Sequence, residues 1–324
     1  MQRTITLVAC AALWASSLGA QADSLYVAWC SACHGRDARG TPAASTRLAV
    51  QPADLASCSA STPETEDQWV GIVTRGGAAY GLSLDMPAYG EAGTAEQIRM
   101  IVRYVRSLCR EHGWPPGELN FPRAFLVEKA FPENELVLVA RGTQQQLIFE
   151  HRIGRRFQYE LEGRTAFDSV HRLFDGATLA LKYNVWHSAR LRSLATLGLE
   201  ATPPLGRQSV WELEPFLSAG VQRAGFVMQG QVVAGWENGA GFTGTSSRLG
   251  IGHEAGRFVP MLEAAWDMPR SGAHQVTFYP QVWIRLSRLG HVAGSLGTEV
   301  GDRPAQLIAF VLWDFGDAPL LRGW

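Results

Sequence analysis

The residues with the clearest chemistry lie near the N-terminus, in the run Cys30-Ser31-Ala32-Cys33-His34. Two thiols at this spacing each form a thioether with a vinyl group of one haem, while the adjacent histidine binds the iron. A bare C-x-x-C is also typical of a redox dithiol, half a zinc site or a disulfide, but the histidine directly after the second cysteine disfavours all three. The chain has no second C-x-x-C-H, so the run predicts one covalently bound haem c.

The first 22 residues indicate the compartment. Arg3, the apolar stretch Ile5–Leu18 and the small-residue exit Ala20-Gln21-Ala22 predict a signal peptide over residues 1–22, cleaved before Asp23. Cys10 lies in a run that also resembles a lipoprotein cleavage box, but cleavage there would leave too short an apolar segment for export. We therefore expect an exported mature protein.

Two cysteines are left after haem attachment. Cleavage of the signal peptide removes Cys10, and haem consumes Cys30 and Cys33. Cys58 and Cys109 then form an even pair within one predicted domain of an exported protein. In an oxidising compartment this favours a disulfide over two free thiols.

Length and charge restrict the remaining choices. The chain has 324 residues, which allows two domains, and 29 Lys and Arg against 30 Asp and Glu give no reason to expect a nucleic-acid partner. After the signal segment no apolar run of about 18 residues occurs, so we expect no transmembrane helix. A membrane barrel is compatible with this pattern, because its strands are short and only alternately apolar.

Two stretches between residues 23 and 112 have helical patterns. Leu25–Cys33 leads into the haem motif, and the apolar residues of Glu96–Cys109 recur at three- and four-residue steps. Thr94 and Gln97 supply a capping box for the second helix. Together with the haem motif, these elements resemble a class I cytochrome c, an all-α fold in which the first and last helices cross over the haem.

The resemblance implies a sixth iron ligand. Met86 is followed by Pro87 in a sequence similar to the family's M-P-x-aromatic loop, whereas Met100 lies in the last helix, where the family has no ligand. His112 competes for the role but lies beyond that helix. Ligation by His34 and Met86 leaves no open position on the iron, so we expect an electron carrier rather than an enzyme with its own substrate.

The chain changes character after the cytochrome-like region. Residues 113–134 are rich in proline and predict a linker. Beyond it, polar and apolar residues alternate strictly, as in Phe157–Glu162. The alternation recurs in further segments of about ten residues: Trp211–Ala219, Phe226–Trp236, Val276–Leu286 and Leu307–Phe315. These are strands with two unlike faces.

A membrane barrel explains this alternation better than a secreted β-sandwich. Seven tryptophans, mostly near strand ends, are typical of aromatic girdles at two membrane interfaces. The chain stops on Trp324, similar to the terminal aromatic of outer-membrane proteins. The runs Glu150–Phe157 and Gly176–Tyr183 resemble the opening hairpins of Gram-negative transporter-type barrels. Residues 135–324 therefore predict an antiparallel transmembrane β-barrel of 10–12 strands, with its apolar face on outer-membrane lipid.

The two halves together resemble the fused monohaem cytochrome–porin family, although this barrel is much shorter. The resemblance implies single-electron transfer at the outer membrane, between a periplasmic redox protein and a donor or acceptor at the cell surface or in the barrel. The cytochrome domain would lie in the periplasm or within the barrel lumen. Two alternatives remain open: a channel for a small solute with a cytochrome redox sensor or gate, and a periplasmic carrier merely anchored by the barrel.

Overall fold

The chain forms two compact units, residues 1–117 and 118–324. The structure is a computed structural model that describes residues 21–42, 45, 47–167, 174–288, 291–302 and 304–316. Most of the predicted signal peptide, Cys10 and the terminal Trp324 lie outside these described residues. The boundary between the units falls five residues after the end predicted for the cytochrome domain.

The first unit is helical. Its elements are α1 over residues 21–29, α2 (Ser31–His34), α3 (Cys58–Ser61), α4 (Glu66–Arg75) and α5 (Ala95–Ser107), with a 3₁₀ turn at Gly77–Tyr80. A second 3₁₀ turn, Gly117–Leu119, spans the sequence boundary between the units. The helix predicted over Leu25–Cys33 is divided, because the chain turns at Cys30 before α2 begins. Within the described ranges, no helix is long and apolar enough to cross a membrane.

Helix α5 begins and packs as its sequence predicts. The Thr94 side chain accepts a hydrogen bond of 3.2 Å from the backbone N–H of Gln97, and the Gln97 side chain accepts one of 2.8 Å from the backbone N–H of Thr94. This confirms the capping box, which satisfies two backbone donors that the first turn leaves free. The helix buries one face in the core of the unit, through Ile98, Ile101, Val102 and Val105.

The second unit is a closed antiparallel barrel of twelve strands. They are β1 (Glu135–Arg141), β2 (Gln144–Ile153), β3 (Phe157–Ala166), β4 (Gly176–Ser188), β5 (Ser193–Thr202), β6 (Glu212–Arg223), β7 (Phe226–Glu237), β8 (Gly241–His253), β9 (Phe258–Pro269), β10 (Gln275–Arg285), β11 (Val292–Glu299) and β12 (Gln306–Asp314). Each strand pairs with the next, and β1 closes on β12 with Glu135 opposite Asp314. Closure removes the sheet edges that would otherwise expose unpaired backbone groups.

The wall has an apolar outside and a largely polar inside. Alternate residues of each strand are exposed and apolar, for example Leu138, Leu147, Leu161, Leu181, Leu197, Leu217, Val232, Leu262, Leu296 and Val311. The residues between them are buried, and many are polar, including Glu150, Gln158, Lys182, Thr196, Ser218, Gln229, Glu263 and Gln281. An exposed apolar band around a closed barrel is suited to lipid and not to water. The second unit is therefore a barrel of the outer membrane.

The two ends of the barrel differ. At the end where β1 begins and β12 ends, which we call the terminal end, the strands are joined by residues 154–156, 189–192, 224–225, 254–257 and 286–291. The opposite end, the loop end, carries the longer connections at 167–175 and 203–211. Short periplasmic turns and longer outer loops are typical of outer-membrane barrels.

The tryptophans of the barrel do not all share one role. Trp186, Trp211, Trp236 and Trp266 are about half exposed and lie toward strand ends, where an aromatic girdle meets the membrane interface. Trp283 is only 7% exposed. Buried and exposed residues alternate along β10, and Trp283 occupies one of the positions that face the interior.

Candidate functional site

The two cysteines and the histidine of the haem motif lie where α1 ends and α2 begins. Cys30 occupies the turn, and α2 carries Cys33 and His34. The backbone N–H of His34 donates to the carbonyl of Cys30 at 2.9 Å, which holds the motif in one helical turn. Cys30 and Cys33 carry free, half-buried thiols. Burial, with a smaller contribution from Cys33, raises the pKa of the Cys30 thiol to about 11.

The imidazole of His34 is oriented by the backbone. Its Nδ1 lies 3.4 Å from the carbonyl oxygen of Ala53, and a carbonyl only accepts, so Nδ1 carries the proton. Burial lowers the pKa of His34 below its usual value, although the bond to Ala53 opposes this. A neutral ring protonated on Nδ1 leaves the Nε2 lone pair available to a metal.

Tyr26 contacts the end of the haem motif. It is fully buried, and its hydroxyl donates a 2.7 Å hydrogen bond to the carbonyl of Gly35, the residue after His34. Its ring also packs against Tyr104 of α5, with ring centroids 5.4 Å apart. Tyr26 therefore links α1, the end of the motif and α5. The sequence places Tyr26 four positions before Cys30, but it does not predict the contact with Gly35.

Met86 lies in a loop that packs on the core of the first unit. Its backbone carbonyl accepts a 3.0 Å hydrogen bond from the N–H of Gly77. Its side chain packs on the cluster built by Val73, Ile98 and Val102, which Trp29 also joins. Since Trp29 directly precedes Cys30, the loop packs on the same cluster as the residue next to the haem motif.

Two glycines make this close approach of the Met86 loop feasible. Gly76 adopts a φ of 77°, which side chains disfavour, and a Cβ at Gly77 would lie 2.9 Å from the Cβ of Met86. A larger residue at either position would push the loop away. The two glycines therefore leave room for the Met86 loop to pack closely against them.

Tyr89 connects the Met86 loop to α1. Its hydroxyl donates to the carbonyl of Trp29 at 2.5 Å, and the two rings stack. Burial raises the pKa of Tyr89, and the nearby Cys30 and Cys33 sulfurs add to this. The sequence marks Tyr89 only as the aromatic residue of the methionine loop, because its partner is 60 residues away.

The other predicted residues of this unit lie away from that cluster. A disulfide joins Cys58 of α3 to Cys109, which follows α5, with the Cα atoms 4.9 Å apart. Met100 lies within α5. His112 lies in an exposed turn after the disulfide.

The donor set of the first unit fits a haem c. It comprises two free thiols three residues apart, an imidazole with Nε2 available, and a thioether in a loop that is held to Trp29, the residue before the first thiol, by Tyr89. Thiols, imidazole and thioether are the groups that attach and ligate haem in His/Met proteins.

The barrel interior is occupied by the chain itself. Residues 118–134, which we call the lumen segment, precede β1 and correspond to most of the predicted linker. Leu119, Phe121, Val127 and Phe131 of this segment are at most 4% exposed. They pack on inward-facing residues of the wall, including Leu194 and Val227. Proline content alone suggested a connector, whereas the apolar residues of the segment belong to a packed core.

Carboxylates in this interior could be mistaken for a metal site. Two overlapping groups, Glu128 with Glu150 and Glu160, and Glu133 with Glu135 and Glu150, bring carboxylate oxygens within 4.8 Å of one another. Arg123, Lys129 and Lys182 already pair with these groups, as the salt bridges show. We therefore assign the carboxylates to an ion-pair network.

Comparisons with known proteins describe each unit separately. Residues 18–105 match the family described as "Cytochrome C oxidase, cbb3-type, subunit III". No curated protein matches the chain. Among solved structures, the KdgM porin has 11% identity and a TM-score of 0.44, covering 56% of this chain and 98% of its own. An outer membrane channel from Pseudomonas putida F1 has 8% identity and a TM-score of 0.43, covering 60% and 100%.

The family match and the donor set define the first unit as a cytochrome c-type domain. The twelve-strand closure and the apolar exterior define the second as an outer-membrane β-barrel. The chain thus combines a cytochrome c-type domain with a barrel in contact with membrane lipid.

Proposed function

We propose that this chain is a monohaem electron-transfer protein of the outer membrane, similar in layout to the fused cytochrome–porin family. The first unit would hold one haem c through Cys30 and Cys33, with His34 and Met86 as the iron ligands. It passes single electrons between a periplasmic redox protein and a donor or acceptor at the cell surface or in the barrel.

The observation that carries the proposal is the donor set in the first unit. Both thiols are free although the same unit contains a disulfide, and His34 is held with Nδ1 toward the Ala53 carbonyl. A purely structural pair of cysteines in an oxidising compartment would be expected to bond to each other. The attachment of this unit to a lipid-facing barrel supports a place for the reaction at the outer membrane.

The residues of the chain have separate tasks in this function. A haem held here supplies an iron that changes valence by one electron. Cys30 and Cys33 would fix it covalently, while His34 and Met86 would ligate the iron and so exclude oxygen and peroxide. Tyr89 and Trp29 keep the methionine loop in place, which limits rearrangement when the charge changes.

Haem attachment is tested directly on the full chain. Expressed with a cytochrome c maturation system, the purified protein should gain the mass of one haem and give a thioether-type pyridine haemochrome spectrum. Cys30→Ala with Cys33→Ala should lose both signals, whereas Cys58→Ser with Cys109→Ser should keep them. A colourless wild-type protein under these conditions would refute haem binding.

Electron transfer is tested in intact cells that carry the protein. A membrane-impermeant oxidant added outside should oxidise the reduced haem, and a periplasmic electron donor should reduce it again. His34→Ala, which removes the proximal ligand, serves as the inactive control. Reduction by the periplasmic donor without any response to the external oxidant would favour the carrier that is merely anchored by the barrel.

A further inference from the structure

The lumen segment enters and leaves the barrel at the same end. Leu119 and Phe121 at its beginning share one buried cluster with Ala130 and Phe131 near its end. The wall residues of this cluster are Leu194 and Val227, each the second residue of its strand and next to the terminal end. The two arms therefore lie side by side there, and the segment is a re-entrant loop inside the barrel.

The apex of the loop is held by one carboxylate of the wall. Glu263 of β9 accepts hydrogen bonds from the backbone N–H groups of Phe125, Leu126 and Val127, at 2.6, 2.9 and 3.0 Å. Glu263 is itself fully buried and accepts a further bond from Gln281. A buried carboxylate that accepts hydrogen bonds from three successive N–H groups fixes this piece of backbone at one position. We call this site on Glu263 the seat of the segment.

Other wall strands bind the two arms. Gln229 of β7 donates to the carbonyl of Pro122 at 2.8 Å, and Thr196 of β5 donates to that of Ala130 at 2.5 Å. Gln158 of β3 accepts from the N–H of Glu133 at 2.7 Å. Together with Glu263 of β9, these contacts place the segment against several sides of the wall.

Buried ion pairs join the segment to the first strands. The Arg123 guanidinium lies 2.6 Å from a carboxylate oxygen of Glu150 in β2, and Lys129 lies 3.2 Å from that of Glu135 in β1. Lys182 of β4 pairs with Glu128 of the segment. Charges of both signs come from the segment and from the wall. Removing the segment would therefore leave buried charges of the wall without their partners.

The wall has glycines where two aromatic rings of the segment contact it. A Cβ at Gly220 would lie 2.8 Å from Phe121, and a Cβ at Gly297 would lie 2.7 Å from Phe125. At Gly220 any side chain would collide with the Phe121 ring, and at Gly297 it would collide both with the Phe125 ring and with the Pro280 carbonyl oxygen of the wall, 2.4 Å from that Cβ. The wall is thus shaped for this particular segment.

We propose that residues 118–134 are a plug that closes the barrel to solutes. Two cavities of about 460 and 300 Å³ lie toward the loop end, the second lined by Leu126 at the apex and by Arg248 and Tyr279 of the wall. They form a vestibule that ends at the plug. The inference concerns the barrel alone and does not depend on haem binding.

Conductance in planar bilayers tests the plug. The full-length protein should give no steady current. A variant in which residues 120–133 are replaced by a Gly/Ser linker of equal length should conduct at least about tenfold more, because water fills the freed lumen. Heat-modifiable gel mobility verifies that the variant barrel is folded. Equal steady currents from wild type and folded variant would overturn the proposal.

Single substitutions test the seat without removing the segment. Glu263→Ala removes the acceptor of three N–H groups and should produce intermittent openings, whereas Glu214→Ala, a carboxylate lining the vestibule, should not. Openings that are equally frequent in both variants would contradict the assigned seat.

Thiol labelling provides a measurement that does not require channel opening. In intact cells, an impermeant maleimide added outside should label Leu126→Cys, which lines the vestibule, and should not label Ala130→Cys, which is buried in the plug. Labelling of both positions at similar rates would show a lumen open from end to end and would overturn the proposal.

Discussion

The hydroxyl of Tyr89 donates a 2.5 Å hydrogen bond to the backbone carbonyl of Trp29, and the two rings stack with their centroids 5.4 Å apart. Trp29 immediately precedes Cys30, and Tyr89 follows Met86 by three residues. One contact therefore connects the segment that carries the proposed covalent attachment to the loop that carries the proposed sixth ligand.

Tyr89→Phe should weaken methionine ligation without abolishing it. The substitution keeps the stacked ring but removes one hydrogen bond, which is worth about 0.5–1.5 kcal/mol net. The methionine-to-iron charge-transfer band should therefore disappear at a lower urea concentration than in wild type. Tyr80→Phe is the matched control, because the Tyr80 hydroxyl contacts the exposed Arg75 and does not reach α1. An identical urea midpoint for wild type and Tyr89→Phe would show that this hydrogen bond does not stabilise methionine ligation.

Met86→Ala should abolish the charge-transfer band and lower the midpoint potential, because the soft thioether that favours the reduced iron is lost. Haem should stay bound, since Cys30 and Cys33 are untouched. Met100→Leu, within α5, should leave band and potential unchanged. Visible spectroscopy and a redox titration read both properties, and a band that persists in Met86→Ala would exclude Met86 as the ligand.

Loss of the Cys58–Cys109 disulfide should destabilise the first unit. The bond joins residues 51 positions apart, for which the chain-entropy model gives about 4 kcal/mol. Denaturant unfolding followed by haem absorbance should show this difference between wild type and Cys58→Ser/Cys109→Ser. Wild type treated with reductant should match the double variant, because thioether bonds to haem are not reduced. A reductant-insensitive wild type whose alkylation finds both thiols free would contradict the disulfide.

Removal of one buried charge from the lumen should destabilise the barrel. Arg123→Ala leaves Glu150, which is 0% exposed, without its guanidinium partner. Breaking a buried pair in this way costs about 3–5 kcal/mol. The temperature at which the compact gel form is lost should therefore fall. Replacing both partners, as in Arg123→Leu/Glu150→Leu, should recover part of the loss.

The matched control for the buried pair lies on the surface of the same barrel. Arg207 pairs with Asp175 at the loop end at 3.2 Å, and its side chain is 43% exposed. Arg207→Ala should cost less than about 1 kcal/mol, because water and salt screen exposed pairs. A loss from Arg123→Ala no larger than that from Arg207→Ala would indicate that water reaches the buried network.

Short-range patterns predicted most of the elements, and the proposed haem ligation also rests on them. The haem motif is five consecutive residues, and the capping box of Thr94 and Gln97 spans one helical turn, so both are decided by neighbours in the chain. The alternation of the second half likewise predicted strands with a lipid face, as in β3 and β4. The inward position of Trp283 was not anticipated, because girdle and core tryptophans look alike in composition.

Only the tertiary structure decided what closes and what fills the barrel. Closure depends on the pairing of β1 with β12, where Glu135 meets a residue 179 positions away, Asp314. The lumen segment has no helical or strand period, and its seat on Glu263 joins Phe125 to a residue 138 positions away. Local sequence predicts structure through repeated neighbour contacts, and a re-entrant loop has few. Its conformation is determined by distant side chains that come together only once the wall has closed around them.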